Sequence, residues 1–375
     1  MEADRQEQAK QYAKQNRWCF ILDFFINGAL AISWVISGLA ILLNNLFHIL
    51  QMPLIFANAL FIICYGFIAF IVDSPLTFYS DYVLPKRYKL STENLSSWLL
   101  DQIKSLAISG AIGVPLLLLI YWFLSVTPDN WWIWAAAILI LFSVLFANLY
   151  PVLIAPIFNK FTPLSEEYAA LEQKLIALAE KVGTKITGVY KYDMSRRTSA
   201  ANAALMGLSN TKRIVLSDTI LENFSDDEIE TIIAHELGHY VHRDLPLSIL
   251  VNSVIIILTF YAASFGMRWS IDFFNFNAIS DISTLPLLEI MFGIFSLVVF
   301  PVQNTFSRIL ETRADEYSLK NTNKPEAFAS ALNKLSDQNL AEQDPDPLIE
   351  FFMHSHPAIS RRIKMAEEYS EKINA

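Results

Sequence analysis

Cysteine is nearly absent from this sequence. Cys19 and Cys64 are the only two in 375 residues, both inside apolar runs, so neither a disulfide framework nor a thiolate metal site can be built. Charge is scarce as well: 17% of residues are Asp, Glu, Lys or Arg, against about 25% in soluble domains. What charge there is sums to −9, and the missing basic excess excludes a nucleic-acid partner, which needs a basic face. Low-complexity segments and internal repeats are also missing, and a disordered chain is ruled out by 54% hydrophobic residues, including 27 Phe, 14 Tyr and 8 Trp. That much apolar surface does not fit a single water-soluble globule.

Six stretches are long and apolar enough to cross about 30 Å of hydrocarbon as helices: approximately 18–43, 54–72, 105–125, 132–154, 246–268 and 286–306. Tryptophans fall near several of their ends, at Trp18, Trp122, Trp131, Trp132 and Trp269, as interfacial rings should. The first stretch is too long for a signal-peptide core and lacks a small-residue cleavage site, so a retained anchor is expected. Lys and Arg occur in 1–17, 73–104 and 155–245, whereas 44–53, 126–131 and 269–285 have none. This alternation predicts both termini and the polar segments on the cytoplasmic side.

The polar segments carry the chemistry. Residues 165–183 have helical periodicity ended by Gly183, followed by β-type runs at Ile186–Tyr192, about Ser199–Met206, and Arg213–Leu216. Ser225-Asp226-Asp227-Glu228 reads as a capping box opening a helix over about 226–243. That helix contains His235-Glu236-Leu237-Gly238-His239. Residues four apart share a helix face, so both imidazoles can reach one ion while Glu236 holds and deprotonates a water, the HExxH arrangement of zinc peptidases. A catalytic zinc wants three protein ligands and one open position. Glu311 is the candidate third, and Asp315, one turn on, can orient a ligand imidazole from behind. The competing reading of Glu311 is an ion pair with Arg308 or Arg313 on a solvated face. His242 is read as a bystander, His48 as structural, and His354 and His356 as candidate donors to a developing oxyanion. Asp23 and Asn58 are polar positions inside spans that could line a cavity.

The chain resembles the integral-membrane zinc metalloproteases of the type I CAAX prenyl protease family over most of its length. The similar stretches are Phe78–Leu84 with Arg87–Thr92, Ala155–Leu164, Ser195-Arg196-Arg197, Asn202-Ala203, Lys212–Leu216 with Asp218-Thr219, the HExxH, Glu311 with Asp315, and Ser355-His356-Pro357 with Arg362. The resemblance implies one Zn²⁺ per chain on His235, His239 and Glu311, with Glu236 as general base and Asp315 behind a ligand histidine. It further implies that Asn202 pairs with substrate backbone on an edge strand, and that His356 and Arg362 meet the scissile carbonyl or the substrate backbone. The implied substrate is a C-terminal Cys-a-a-X sequence carrying an isoprenoid on its cysteine, cut after that cysteine. There are two departures: six spans where the family has seven, and Asp244 where eukaryotic relatives often have a histidine, a difference expected to be peripheral.

The expected fold is mainly α: a polytopic transmembrane helical bundle or chamber with a small α+β cytosolic zinc-metallopeptidase domain. Its parts are a membrane region 1–155 with four spans, a cytosolic part 156–245, a membrane hairpin 246–306 with two spans, and a helical part 307–375 bringing the third ligand. Partners are the lipid bilayer and a peptide or prenylated protein C-terminus. The endoplasmic reticulum and a bacterial inner membrane both fit. A quality-control zinc protease with unprenylated substrates is the alternative. An intramembrane-cleaving protease conflicts with the polar helix start at Ser225, and a zinc transporter conflicts with the lack of metal-binding residues along the spans.

Overall fold

The computed structural model describes residues 2–207 and 212–374. Among these residues, six helices are long and apolar enough to cross a membrane, in agreement with the six expected stretches. Helix α1 (Glu2–Ile36) differs from expectation at both ends. It starts well before residue 18, and it stops at Ser37-Gly38, where Gly38 takes φ +74°, so 18–43 is not one span. Left-handed backbone is open to glycine at no steric cost, and the chain uses it to begin a separate short helix, α2 (Leu39–Ile49). At 11 residues α2 is too short to cross by itself. Next come α3 (Leu54–Phe78), α4 (Leu84–Arg87), α5 (Leu95–Val126), α6 (Trp131–Leu149) and α7 (Ala155–Phe158). The spans pack on one another through Trp34, Phe61, Tyr65, Tyr121, Leu124, Trp131 and Phe260, while their other faces stay apolar and exposed.

A four-stranded sheet follows, made of β1 (Phe161–Pro163), β2 (Val189–Tyr192), β3 (Ala203–Met206) and β4 (Arg213–Ser217), with α8 (Ala169–Lys181) between β1 and β2. The strand order is β1-β2-β4-β3. Strand β2 runs parallel to β4, with Val189 opposite Ile214, and β3 is antiparallel to β4, with Ala203 opposite Leu216. The β-type runs at 186–192 and 199–206 shrink to their C-terminal halves, because Gly188 (φ +146°) breaks the first. In the second, Thr198 and Ser199 instead bond the carbonyl of Leu90. Strand β1 was not legible: three residues ending in proline carry no alternation. Gly183 (φ +73°) follows the end of α8 as expected.

Helices α9 (Asp218–Asn223), α10 (Asp226–Val241) and α11 (Asp244–Phe274) lead to α12 (Leu285–Thr322). At 1.5 Å per residue the 38 residues of α12 extend roughly 57 Å, about twice the hydrocarbon thickness, so its second half stands clear of the span. Helices α13 (Pro325–Asn339), α14 (Pro347–Met353) and α15 (Ile359–Asn374) complete the chain. The polar end of α1 straps onto this C-terminal part. Arg5 donates to the carbonyl of Asp337 at 3.0 and 3.2 Å, and Ala9 is buried with Leu90 and Leu340.

Candidate metal centre

Helix α10 starts where the capping box predicted. The Ser225 amide donates to Glu228 Oε2 at 2.7 Å, and the Glu228 amide donates to Ser225 Oγ at 3.4 Å. Lys334 at 2.7 Å and Ser330 at 2.6 Å hold the same glutamate from α13. Ile229, Ile233 and Leu237 bury one face of α10 against the sheet and α8. His235 and His239 project from a neighbouring face with Nε2 atoms 3.2 Å apart. Gly238, on the α12 side, permits the close approach that completes the set. A Cβ there would lie 3.1 Å from Ala314 Cα and 3.1 Å from Tyr317 Cβ of α12. Glu311 is thereby placed with Oε2 3.3 Å from His235 Nε2 and Oε1 3.4 Å from His239 Nε2. Ligand atoms 2.0–2.1 Å from a tetrahedral zinc are about 3.4 Å from one another. The triangle has that size, and it is a His/His/Glu group able to hold a metal ion.

The donor set points the same way. His235 Nδ1 lies 2.8 Å from Asp315 Oδ1, and His239 Nδ1 lies 2.8 Å from Asp244 Oδ2. A carboxylate accepts, so each imidazole carries its proton on Nδ1 and turns a lone pair on Nε2 inward. Both lone pairs converge on a carboxylate whose Oε2 is buried without a hydrogen-bonding partner. Three acceptors facing one point repel one another unless a cation stands among them. With no cation among them, burial pulls the pKa of His235 down, but the carboxylates of Asp315 and Glu311 outweigh it and carry it up to about 10. His239 is also raised, since its bonds to Glu311 and Asp244 overcome burial and the repulsion of His235.

Each carboxylate behind a ligand is itself held by an arginine. Arg362 donates to Asp315 through Nε at 2.7 Å and Nη2 at 2.6 Å, and Arg313 pairs with Asp244. Arg362, expected to meet the scissile carbonyl or the substrate backbone, lines the cavity while two of its nitrogens bond Asp315. Only Nη1 has no partner among the described residues. Asp244 corrects the expectation more sharply. It is buried against the His239 imidazole and not peripheral. Its position five residues past His239, across a break at Arg243 (φ +56°), hides it from any helical-face argument. Neither Arg308 nor Arg313 pairs with Glu311. Arg308 donates to the carbonyls of Glu350 and His354, at 3.0 and 2.6 Å.

Those two bonds fix the turn that carries His356. Its Nε2 lies 3.4 Å from Glu311 Oε1, while Ser355 Oγ is 3.0 Å from its Nδ1. Burial lowers the pKa of His356 despite attraction from Glu311. Glu236 faces the same space with no hydrogen bond to its carboxylate among the described residues, and burial raises its pKa against the pull of His235 and His239. Asn202 directly precedes the edge strand β3, bonded through its backbone to Ser217. Asn202, Glu236, His356 and Arg362 all line one cavity of about 820 Å³, with His235 and Glu311 of the triangle on its wall. His242 takes no part in the triangle and packs its ring 5.7 Å from that of Tyr317.

Residues 165–370 match peptidase family M48, and residues 1–160 match the CAAX prenyl protease N-terminal region, described as five membrane helices. In that region the structure has four long apolar helices and the short α2. An uncharacterized metalloprotease of Bacillus subtilis is 30% identical over 96% of this chain and 85% of its own length. CAAX prenyl protease 1 of Saccharomyces cerevisiae is 31% identical over 80% of this chain and 70% of its own. The crystal structure of S. mikatae Ste24p superposes with a TM-score of 0.86, covering 97% of this chain and 89% of that one at 24% identity, which establishes the shared fold.

Proposed function

This chain belongs to peptidase family M48, as a multi-pass membrane metalloprotease of the type I CAAX prenyl protease family, and we propose that it releases the C-terminal tripeptide from isoprenylated Cys-a-a-X substrates at a single zinc ion. The observation that carries the zinc reading is the convergence of two Nε2 atoms, 3.2 Å apart, on the Glu311 carboxylate, whose Oε2 lies 3.3 Å from His235 and Oε1 3.4 Å from His239. An ion held by His235, His239 and Glu311 supplies Lewis acidity that polarises the peptide carbonyl and acidifies water.

The chain's own residues do the rest. Glu236 is unbonded and raised in pKa, so it takes a proton from water and passes it to the leaving amine. His356, at the mouth of the triangle, donates to the oxygen that gains charge, which favours the transition state over the bound peptide. The peptide adds as a further strand beside β3 near Asn202, where main-chain hydrogen bonds read backbone and tolerate varied side chains. Apolar surface at Phe20 and Phe300, whose rings lie 6.1 Å apart on the cavity wall, suits an isoprenoid chain. The alternation of Lys and Arg supports a cavity that faces the cytoplasm, in an endoplasmic reticulum or bacterial inner membrane.

Purified chain incubated with a farnesylated Cys-a-a-X peptide and its unprenylated twin tests the substrate. Preference for the farnesylated peptide is expected, and equal or reversed rates turn the assignment toward a quality-control protease. Glu236→Gln is expected to retain one zinc per chain and lose cleavage by at least about a thousandfold. Full activity with metal bound would remove Glu236 from the mechanism.

A further inference from the structure

The cavity that holds Glu236 is walled on one side by the polar half of α1, through Tyr12, Asn16, Arg17 and Phe20. Arg17 stands out chemically. The other arginine lining this cavity, Arg362, is committed to Asp315 through two nitrogens. Arg17 uses only Nη1, which donates to Glu342 Oε2 at 2.8 Å, and its remaining donors have no partner among the described residues. Its side chain is 18% exposed, so the guanidinium is sheltered but reachable from the cavity.

The pair is not needed as a fastener. Helix α1 is already tied to the same region by Arg5 on the Asp337 carbonyl, by Gln6 Oε1 accepting from the Gln343 amide at 3.3 Å, and by buried Ala9. Its placement suggests another use. A protease that removes a C-terminal tripeptide brings a free carboxylate into a half-enclosed space, and an anion that loses water there needs a charged donor. Three extended residues separate that carboxylate from the cut bond by on the order of 10 Å. The same cavity wall carries Glu236, Glu311 and His356 at one place and His354, Glu342 and Arg17 at another, so an extended tripeptide running from the cut bond stays inside it as it reaches toward Arg17. The cavity is also lined by Phe328, Leu332 and Leu335, apolar surface that suits small aliphatic side chains.

We infer that Arg17 receives the C-terminal carboxylate of the substrate, and that Glu342 occupies its fork until the substrate displaces it. The inference rests on the tripeptide-releasing reading above and names the residue that makes it C-terminal. Glu342 then acts as a built-in competitor, a carboxylate already seated where the substrate's will sit.

The test compares two farnesylated peptides that differ only in ending as a carboxylate or a carboxamide, on the purified full chain. The wild type should favour the carboxylate by about tenfold or more in kcat/KM, mostly through KM. Arg17→Gln should collapse that ratio toward one, Arg17→Lys should restore part of it, and Glu342→Gln should raise it above the wild-type value. A purely structural pair would make Arg17→Gln and Glu342→Gln behave alike, so ratios that move together, or do not move, overturn the assignment. A wild type that prefers neither ending also overturns it while leaving prenyl-peptide cleavage intact. Failure to cut either farnesylated peptide, with continued cleavage of an unprenylated membrane protein, overturns the parent reading and this inference with it.

Discussion

The two sides of the metal triangle are built from the same parts and finished differently. Behind His235 stand Asp315, 0% exposed, and Arg362, 12% exposed. Behind His239 stand Asp244, 5% exposed, and Arg313, 39% exposed. Asp315 comes from the long helix that also brings Glu311, so the His235 side is assembled by packing between distant segments. Asp244 lies five residues beyond His239, so that side is assembled locally across a helix break. Both sides orient an imidazole, but the sealed side also holds a buried charge pair whose members cannot fall back on water. Removing one member from the sealed side is correspondingly more costly.

Removing the guanidiniums tests that difference most directly. Arg362→Met leaves Asp315 buried with only His235 to meet its charge, and breaking a buried pair on one side costs about 3–5 kcal/mol. Arg313→Met removes a partner already open to solvent, and a cost under about 1 kcal/mol is expected. Thermal unfolding of both variants in the same detergent, with zinc present, measures the gap. Equal losses would show that exposure does not distinguish the two sides.

Neutralising the carboxylates is the next largest effect. Partners behind a ligand imidazole are worth about 10–100-fold in metal affinity. Asp315→Asn is expected near the upper end of that range and Asp244→Asn near the lower, because only the first carboxylate is held by two nitrogens of its arginine. Zinc transfer to a competing chelator gives both affinities without reference to catalysis. A reversal of that order would make the local side the stronger one.

The same contrast decides what could be read from the sequence. The capping box at Ser225, the i, i+4 histidines and the Glu311/Asp315 pair are local signals on single helices, and each appears where its spacing put it. Six spans were legible because hydropathy is a property of a window. The break at Gly38 was not, since one glycine inside an apolar run carries no weight beside its neighbours. Asp244 was seen only as a missing histidine, although a carboxylate can accept from Nδ1 at the same place. The wall formed by α1 depends on contacts between residues more than 300 apart, such as Arg17 with Glu342, for which no local pattern exists. Arg362 lines the cavity as the resemblance implies, and its bonds to Asp315, made across 47 residues, have no local pattern to announce them either.

The smallest effect is one of slope. His235 has its folded-state pKa raised to about 10 from an ordinary 6.5, chiefly through Asp315 once burial is overcome. Without a cation, a raised histidine stabilises the fold fully below its unfolded pKa, and that contribution is lost as pH climbs through the folded value. Zinc takes the same lone pair, so between pH 7 and 9 each unit of pH raises the deprotonated fraction about tenfold and zinc binding tightens by up to about tenfold. The two signs are opposite: chelated protein loses stability as pH rises through this window, while zinc affinity increases. Asp315→Asn should flatten both trends because it removes the main support of the shift, whereas Asp244→Asn should leave most of the slope in place. Unfolding midpoints in chelator and zinc competition, each taken at pH 7, 8 and 9, provide the measurement. If Asp244→Asn flattened the slope as much as Asp315→Asn, the proton would belong to the triangle as a whole and not to its sealed side.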